Sequence, residues 1–503
     1  MYQPKFICFL KPFSILLLVL LFDYSCQEQA PKKTSTPIGN TIVSQTKSKA
    51  KTPDGQFIAW KEHIIDDTKI SGIGISGSDG LQMADLDKDG FEDIVSVHES
   101  DTEYDGQLIG HIRIAFGTAD PNKWDLVTLA SGVEAAAAED IALTDLNGDG
   151  FLDVVAACEL AHLIYFQNPT KNIKTAKWER LIPEITQNRG SFIRVFAADL
   201  NRDGQPEIIA ANKGDQANDG SVAVNPGPKP VSYFEIKGIP LHNEAWIETP
   251  IIELNIPVNA QPVDIDGDGD LDIIAGSRGE RRIVLLENNS QEKIAFTPHD
   301  IKLNGTGIST KLATETASKS FITGFNMVFL DINQDDRLDI LLAESFQYLI
   351  WLEQPENWTD DWQVHAIGNT APDWIVGIQL ADINNDGHQD LITGGYSRGE
   401  RDTDGKVTIN DPLGRIAWFE NPNNPTKTWI RQDISRRKRG MFDQFVAVDL
   451  DKDGDIDFVS TRGNSLPYDG VFWLEQVRSE QPLNNFEKAR KIDSEEMALP
   501  NGE

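Results

Sequence analysis

The sequence predicts an all-β fold, a seven-bladed β-propeller, and three observations carry that prediction. A nine-residue phrase, Asp-x-Asp/Asn-x-Asp-Gly-x-x-Asp, returns seven times with small departures, beginning at Asp85, Asp145, Asp199, Asp264, Asp331, Asp382 and Asp449. Its copies start 60, 54, 65, 67, 51 and 67 residues apart, a period that calls for one supersecondary unit stacked on copies of itself. Around each copy lie short runs with strand character, separated by turn residues, and four such runs per repeat make one propeller blade.

The strands follow in the same order in each repeat. An alternating run leads into the phrase, as in Leu81–Leu86, Phe196–Leu200 and Phe445–Leu450. A β-rich run leaves it, as at Asp93, Asp153 and Asp457. The third run is usually aromatic and ends in Glu or Gln, as in Leu163–Gln167, Leu349–Glu353, Ile416–Glu420 and Val471–Glu475. The fourth often begins with Trp and alternates to Ile: Trp178–Ile182, Trp246–Ile251, Trp362–Ile367 and Trp429–Ile434. The seventh repeat supplies only three strands before the chain turns polar at Arg478. Phe57–Ile65 carries the same Trp-to-Ile pattern and is expected to complete that blade, removing an open sheet edge. Residues 53–479 are therefore read as one propeller, although length alone suggests about three domains. Residues 480–503 are read as a polar tail outside the blades, with a short helix over Asn484–Ile492.

The phrase has the chemistry of a calcium loop. Oxygen ligands at positions 1, 3, 5 and 9, with a backbone carbonyl at 7, can surround a hard cation, and glycine at position 6 permits the sharp turn. The ligand set is Asp85, Asp87, Asp89 and Asp93; Asp145, Asn147, Asp149 and Asp153; Asp199, Asn201, Asp203 and Glu207; Asp264, Asp266, Asp268 and Asp272. It continues with Asp331, Asn333, Asp335 and Asp339; Asp382, Asn384, Asp386 and Asp390; Asp449, Asp451, Asp453 and Asp457. Up to seven structural calcium ions are expected. Without them such crowding costs roughly 4 kcal/mol for two charges at ~4 Å and an effective dielectric of ~20. The fifth site is expected to be weakest, because Asp336 stands in place of glycine. The third is unusual for Pro206 and Glu207.

Composition bounds the setting. Lys5 and Lys11 flank the start of an apolar run, Phe13–Phe22, with the length of a secretory signal rather than a spanning helix. The signal is placed at 1–26. Ser25-Cys26 is similar to a bacterial lipoprotein processing site, which makes lipid on Cys26 the expected membrane attachment and plain secretion the alternative. Residues 27–52 read as a flexible tether. An exported protein at the outer membrane, cell surface or periplasm follows. Cys158 is the one cysteine of the body, so no internal disulfide can form, and its apolar strand makes it inert core. The formal charge is −33, with no basic stripe or recognition helix, so nucleic acid is not an expected partner. A monomer is expected.

The phrase with its flanking strands resembles the FG-GAP (VCBS-type) repeat of integrin-like propellers and many exported bacterial proteins. The layout also resembles exported propellers of marine polysaccharide-degrading bacteria, including ulvan lyases and ulvan oligosaccharide dehydratases. That resemblance implies an anionic, sulfated or uronic poly- or oligosaccharide as partner and β-elimination as the reaction. In such blades the first strand runs down to the loop and the second returns to an upper rim. Residues five and six places after the last loop ligand then ring the upper mouth. Among these and the adjoining loops, Arg278, Arg398, Arg462, Trp374 and Glu159 are the candidate substrate-binding residues. Arginine suits bidentate capture of carboxylate or sulfate, and Trp374 suits stacking on a sugar ring. His98, His162, Lys213 and Tyr396 are the candidate acids and bases for proton transfer. Trp351, Trp418 and Trp473 are assigned to the core. The competing reading is a glycan-capture or adhesion lipoprotein with no proton chemistry. Zinc-like His and Cys spacings, a nucleophile elbow and a phosphate-binding glycine loop are all absent from the sequence.

Overall fold

The computed structural model describes residues 42–100, 109–160, 162–214, 227–290, 293–304, 322–397, 407–463 and 467–500. The segment expected to be a secretory signal, residues 1–26 with Cys26, lies outside these residues. Seven antiparallel sheets follow one another along the chain. Blade 1 holds strands Ser78–Ala84, Asp93–His98, His111–Phe116 and Asp125–Ser131, and blade 2 holds Ala138–Thr144, Asp153–Cys158, His162–Gln167 and Glu179–Leu181. Blade 3 is built from Ser191–Ala198, Glu207–Gly214, Pro228–Ile236 and Trp246–Asn255. Blade 4 comprises Pro257–Val263, Asp272–Ser277, Arg282–Asn288 and Phe296–Asp300. Blade 5 comprises Ile322–Leu330, Asp339–Glu344, Tyr348–Glu353 and Trp362–Asn369, with Leu303–Asn304 added in parallel at its edge. Blade 6 comprises Trp374–Ala381, Asp390–Tyr396, Gly414–Glu420 and Ile430–Arg437.

Blade 7 closes the ring as the strand patterns predict. Its strands Phe445–Val448, Asp457–Arg462 and Gly470–Ser479 are joined by Phe57–Asp66, with Phe57 opposite Ser479 and Ile64 opposite Phe472. The first strands of neighbouring blades pack side by side around the axis. Apolar side chains of adjacent blades fill the space between sheets, with Trp351, Trp362, Trp418 and Trp473 fully buried. Such large aromatic faces are the main apolar stabilisation available to stacked sheets.

Two expectations about the chain ends are corrected. Residues 480–500 do not trail outside the blades: Phe486–Glu487 adds a fifth, parallel strand against Trp60–Lys61, and no helix forms there. The Asp493 side chain and Ser494 are buried, and Met497 N–H donates to the Arg436 carbonyl. The described part of the expected tether, residues 42–52, is also packed. Val43 and Ala50 are buried, and Ile58 N–H donates to the Ala50 carbonyl. Both segments look polar because their charges have partners at positions that are remote in sequence. Residues 27–41 lie outside the described residues.

Candidate functional site

Two sites stand at opposite ends of the blades: the ring of acidic loops below, and the axial mouth above.

In the loops, the position 1 carboxylate folds the turn around itself. Asp85 accepts N–H groups from Asp89 and Gly90 at 3.0 Å each, and Asp145, Asp199, Asp331 and Asp382 repeat the pair. Position 6 is left-handed in every loop, including Asp336 at φ 67°. Position 4 is left-handed too, at Lys88, Gly148, Arg202, Gly267, Gln334, Asn385 and Lys452, a second such position per loop that the motif does not announce. The position 9 carboxylate is a buried clamp. Asp93 accepts from Leu86 N–H and Gly117 N–H, both at 2.9 Å, joining the loop to the end of the third strand. Asp272, Asp339, Asp390 and Asp457 do the same. Amides at the end of several third strands then reach the preceding blade's loop. Asn168 Nδ2 donates to Leu86 O, Asn288 to Leu200 O, Gln354 to Ile265 O and Gln476 to Ile383 O.

The donor set fits a hard divalent cation. Carboxylate oxygens of Asp85, Asp87 and Asp93 lie within 4.8 Å of one another, as do those of Asp264, Asp266 and Asp272, and of Asp449, Asp451 and Asp453. Buried oxygens of Asp270, Asn333, Asp449 and Asp455 receive no hydrogen bond. Burial, with repulsion from neighbouring loop carboxylates, pushes Asp93, Asp272 and Asp339 up to about 7 and Asp390 and Asp457 to about 8. A cation reverses that logic. Loops 1 and 5 differ, because in each a cationic side chain already stands on a ligand carboxylate. Lys174 Nζ stands 3.3 Å from Asp87, and the Arg337 guanidinium pairs with Asp335.

At the mouth, three nominated side chains, His98, His162 and Arg462, are buried in structural contacts. His98 is fully buried, with Nδ1 at 2.7 Å from Ser78 Oγ and Nε2 at 3.1 Å from Ser96 Oγ. Both ring nitrogens are thus occupied away from the rim surface, and desolvation, then the Arg113 charge, holds its pKa well below the usual histidine value. His162 is buried opposite Cys158 and bonds to the Glu134 carbonyl at 2.9 Å. Cys158 is core, its thiol pushed up to about 12 by burial. Arg462 is no free anion clamp. It is buried between Asp493 at 2.5 Å and Glu62 at 3.4 Å, and Glu62 also pairs with Arg437 at 2.8 Å. This network ties the closing strand, blades 6 and 7 and the C-terminal segment together. Arg398 lies outside the described residues.

The remaining candidates gather around the axis. Lys213 pairs with buried Glu159, and nearby the carboxylates of Asp79, Glu99 and Glu139 come within 4.8 Å of one another, all three buried. Desolvation, then Glu159 and Glu99, holds Glu139 well above the ordinary carboxylate range. Arg194 of blade 3 meets Asn326 of blade 5 at 3.1 Å and Asp443, just before blade 7, at 3.2 Å. Only the axis brings those blades together. Arg194 and Arg278 both stand over the Phe325 ring, at 4.4 and 5.7 Å. Phe325 and Phe346 line a cleft of about 10 Å³ with Thr323 and Asn326. Phe346 stacks on Trp374, centroids 5.3 Å apart and planes 16° apart, and Trp374 is paired in register with Tyr396. Ser345 and Phe346 are successive left-handed residues, which presents the Phe346 ring to Trp374. Asp79, Glu139 and Phe346 were not nominated from sequence. The signal for the first two was present: a charged residue six places before the loop, inside a strand that elsewhere carries Ile193, Val258 or Val376 there.

The FG-GAP-like repeat matches residues 85–156, 145–210, 264–342 and 331–393, together just over half of the chain. Each match runs from one loop into the second strand of the following blade, so the sequence repeat is offset from the structural blade. No curated protein matches the chain.

Proposed function

The chain belongs to the FG-GAP-like repeat family, and we propose that it is an exported, calcium-stapled propeller whose axial mouth binds an anionic oligosaccharide. Calcium in the loops supplies the charge that buried carboxylates lack and fixes the contacts between blades. The observation that carries the sugar reading is the row Arg278, Phe325, Phe346 and Trp374. A half-buried guanidinium stands over Phe325, which lines a cleft with Phe346, and Phe346 is left-handed and stacked on Trp374. Aromatic faces stack on sugar rings, a guanidinium takes a carboxylate or sulfate, and strained backbone at a surface turn accords with a binding role. An ulvan-type sulfated or uronic oligosaccharide is the ligand class to try first.

A second reading, β-elimination by a dehydratase or lyase, is favoured by one observation: Glu139, a buried carboxyl clustered with Asp79 and Glu99, lies near the Lys213–Glu159 pair. In that chemistry Arg278 would neutralise a uronate, Lys213 or Tyr396 would take the proton, and Glu139 would assist the leaving oxygen. Titration calorimetry with sulfated uronic oligosaccharides tests the binding row. Arg278→Ala and Trp374→Ala should each cost about 1.5–3 kcal/mol of binding while leaving the melting temperature nearly unchanged. Wild-type affinity in both variants would refute the assignment. Growth of absorbance near 230 nm on incubation, lost in Lys213→Ala, distinguishes elimination from capture.

A further inference from the structure

One position of the third strand varies from blade to blade beside the loops. Two residues past the third strand's central side chain stand Phe116, Gln167, Glu235, Glu287, Glu353, Glu420 and Glu475 in blades 1 to 7. In the last five blades the register sets this glutamate opposite the loop's final ligand. It is the next pair beyond Ile208–Phe234, Ile273–Leu286, Ile340–Leu352, Leu391–Phe419 and Phe458–Leu474.

In loop 5 the contact is direct. Asn333 Nδ2 donates to Asp335 at 2.9 Å and to Glu353 Oε1 at 3.3 Å, which leaves its buried Oδ1 without a donor and available as a ligand. In loops 4 and 7 position 3 is a carboxylate, Asp266 or Asp451, and the register sets Glu287 and Glu475 one pair beyond Ile273–Leu286 and Phe458–Leu474. Three of the glutamates have a histidine behind them. His299 Nε2 is 2.8 Å from Glu287, His365 Nε2 2.6 Å from Glu353 and His63 Nε2 2.5 Å from Glu475. The His365 and His63 rings stack on Trp351 and Trp473 at 4.2 and 4.3 Å, so these side chains are fixed by packing.

We propose that Glu287, Glu353 and Glu475, each oriented by its histidine, are positioning carboxylates for calcium bound in loops 4, 5 and 7. The seven loops then fall into unequal classes, an assignment that rests on the calcium reading above. The glutamate fixes the ligand amide in loop 5 and adds negative charge beside loops 4 and 7, offset in part at loop 7 by Lys61, whose Nζ stands 3.1 Å from Glu475. Blades 1 and 2 lack it, and loop 1 has the Lys174 ammonium instead. Partners outside the first ligand shell typically change metal affinity 10–100-fold.

The test titrates the full-length, calcium-loaded protein with a chromophoric chelator, reading the number and affinity of sites, with circular dichroism at saturating calcium as a check on folding. Wild type should show at least two affinity classes. Glu287→Gln with Glu475→Gln should weaken the tighter class about 10-fold or more. His63→Gln and His299→Gln should move it in the same direction, and Glu475→Asp should restore part of the loss. Gln167→Glu should strengthen a site of the weaker class. An unchanged tight class in the glutamine variants, with the fold intact, overturns the proposal. Wild-type protein that retains no calcium overturns the calcium reading itself, before any variant is made.

Discussion

The two ends of this propeller obey different rules. Below, seven loops repeat one geometry, down to a left-handed residue at positions 4 and 6 and a buried clamp at position 9. Above, equivalent strand positions diverge: six places before each loop stand Asp79, Glu139, Ile193, Val258, Phe325, Val376 and Asp443. The loops face the same task in every blade, holding sheet to sheet, so one solution recurs. The mouth is a single place shared by seven strands, and each blade contributes a different group to it. Repetition marks architecture here, and its loss marks the site.

Chelation attacks the repeating end and should have the largest effect. A ligand bound only by the native state adds about 2.7 kcal/mol at 100 times its Kd, and several sites act together. Excess chelator should therefore lower the melting temperature by well over ~10 °C in scanning calorimetry. Asp453→Ala should destabilise more than Asp335→Ala, because Asp335 is already paired with Arg337. An unchanged melting curve would remove calcium from the account.

Asp493→Ala attacks the non-repeating end. It removes one of the carboxylates that pair with the buried Arg462 and Arg437 guanidinium groups and leaves Glu62 between them. Breaking a buried pair this way costs roughly 3–5 kcal/mol, to be read from denaturant unfolding. A loss below ~1 kcal/mol would mean that the C-terminal segment contributes little to closure.

The smallest effect sharpens the comparison. Glu344, at the upper end of blade 5, is buried, and neither oxygen has a hydrogen-bond partner among the described residues. Desolvation raises its pKa from 4.5 to about 7. A carboxyl raised on folding is not penalised below its unfolded pKa, and stability falls as pH rises through the folded value. Wild type should thus lose stability between about pH 4.5 and 7. Glu344→Gln should flatten that segment of the profile and gain stability at pH 8. Parallel profiles for the two proteins would refute it.

What the sequence revealed follows the same division. The loops were legible because ligand, turn and spacing lie within nine residues and recur. The closing strand was legible because Phe57–Ile65 repeats a pattern seen in other blades. The C-terminal segment was not, since Asp493 and Phe486 find their partners at Arg462 and Trp60 and look solvated when read locally. The mouth was half legible. Counting strands placed Arg278, Lys213 and Trp374 at the upper end. Chemistry alone could not show that His98 would be consumed by two serines or Arg462 by two acids, because strand register within blade 1 sets Ser78 against His98, and only closure brings Glu62 and Asp493 to Arg462.

The seventh blade also sets the order of events during synthesis. The strand Phe57–Asp66 is among the first segments of the body to be made, and its partner Gly470–Ser479 among the last, with Lys61 and Glu475 separated by 414 residues. Blades 1 to 6 each pair strands close in sequence and can assemble as they emerge, whereas the ring has to wait for the end of the chain. Until then an early strand stays unpaired, which makes the nascent protein most prone to aggregation just before completion. The parallel strand Phe486–Glu487, laid against that same early strand, is then the final latch.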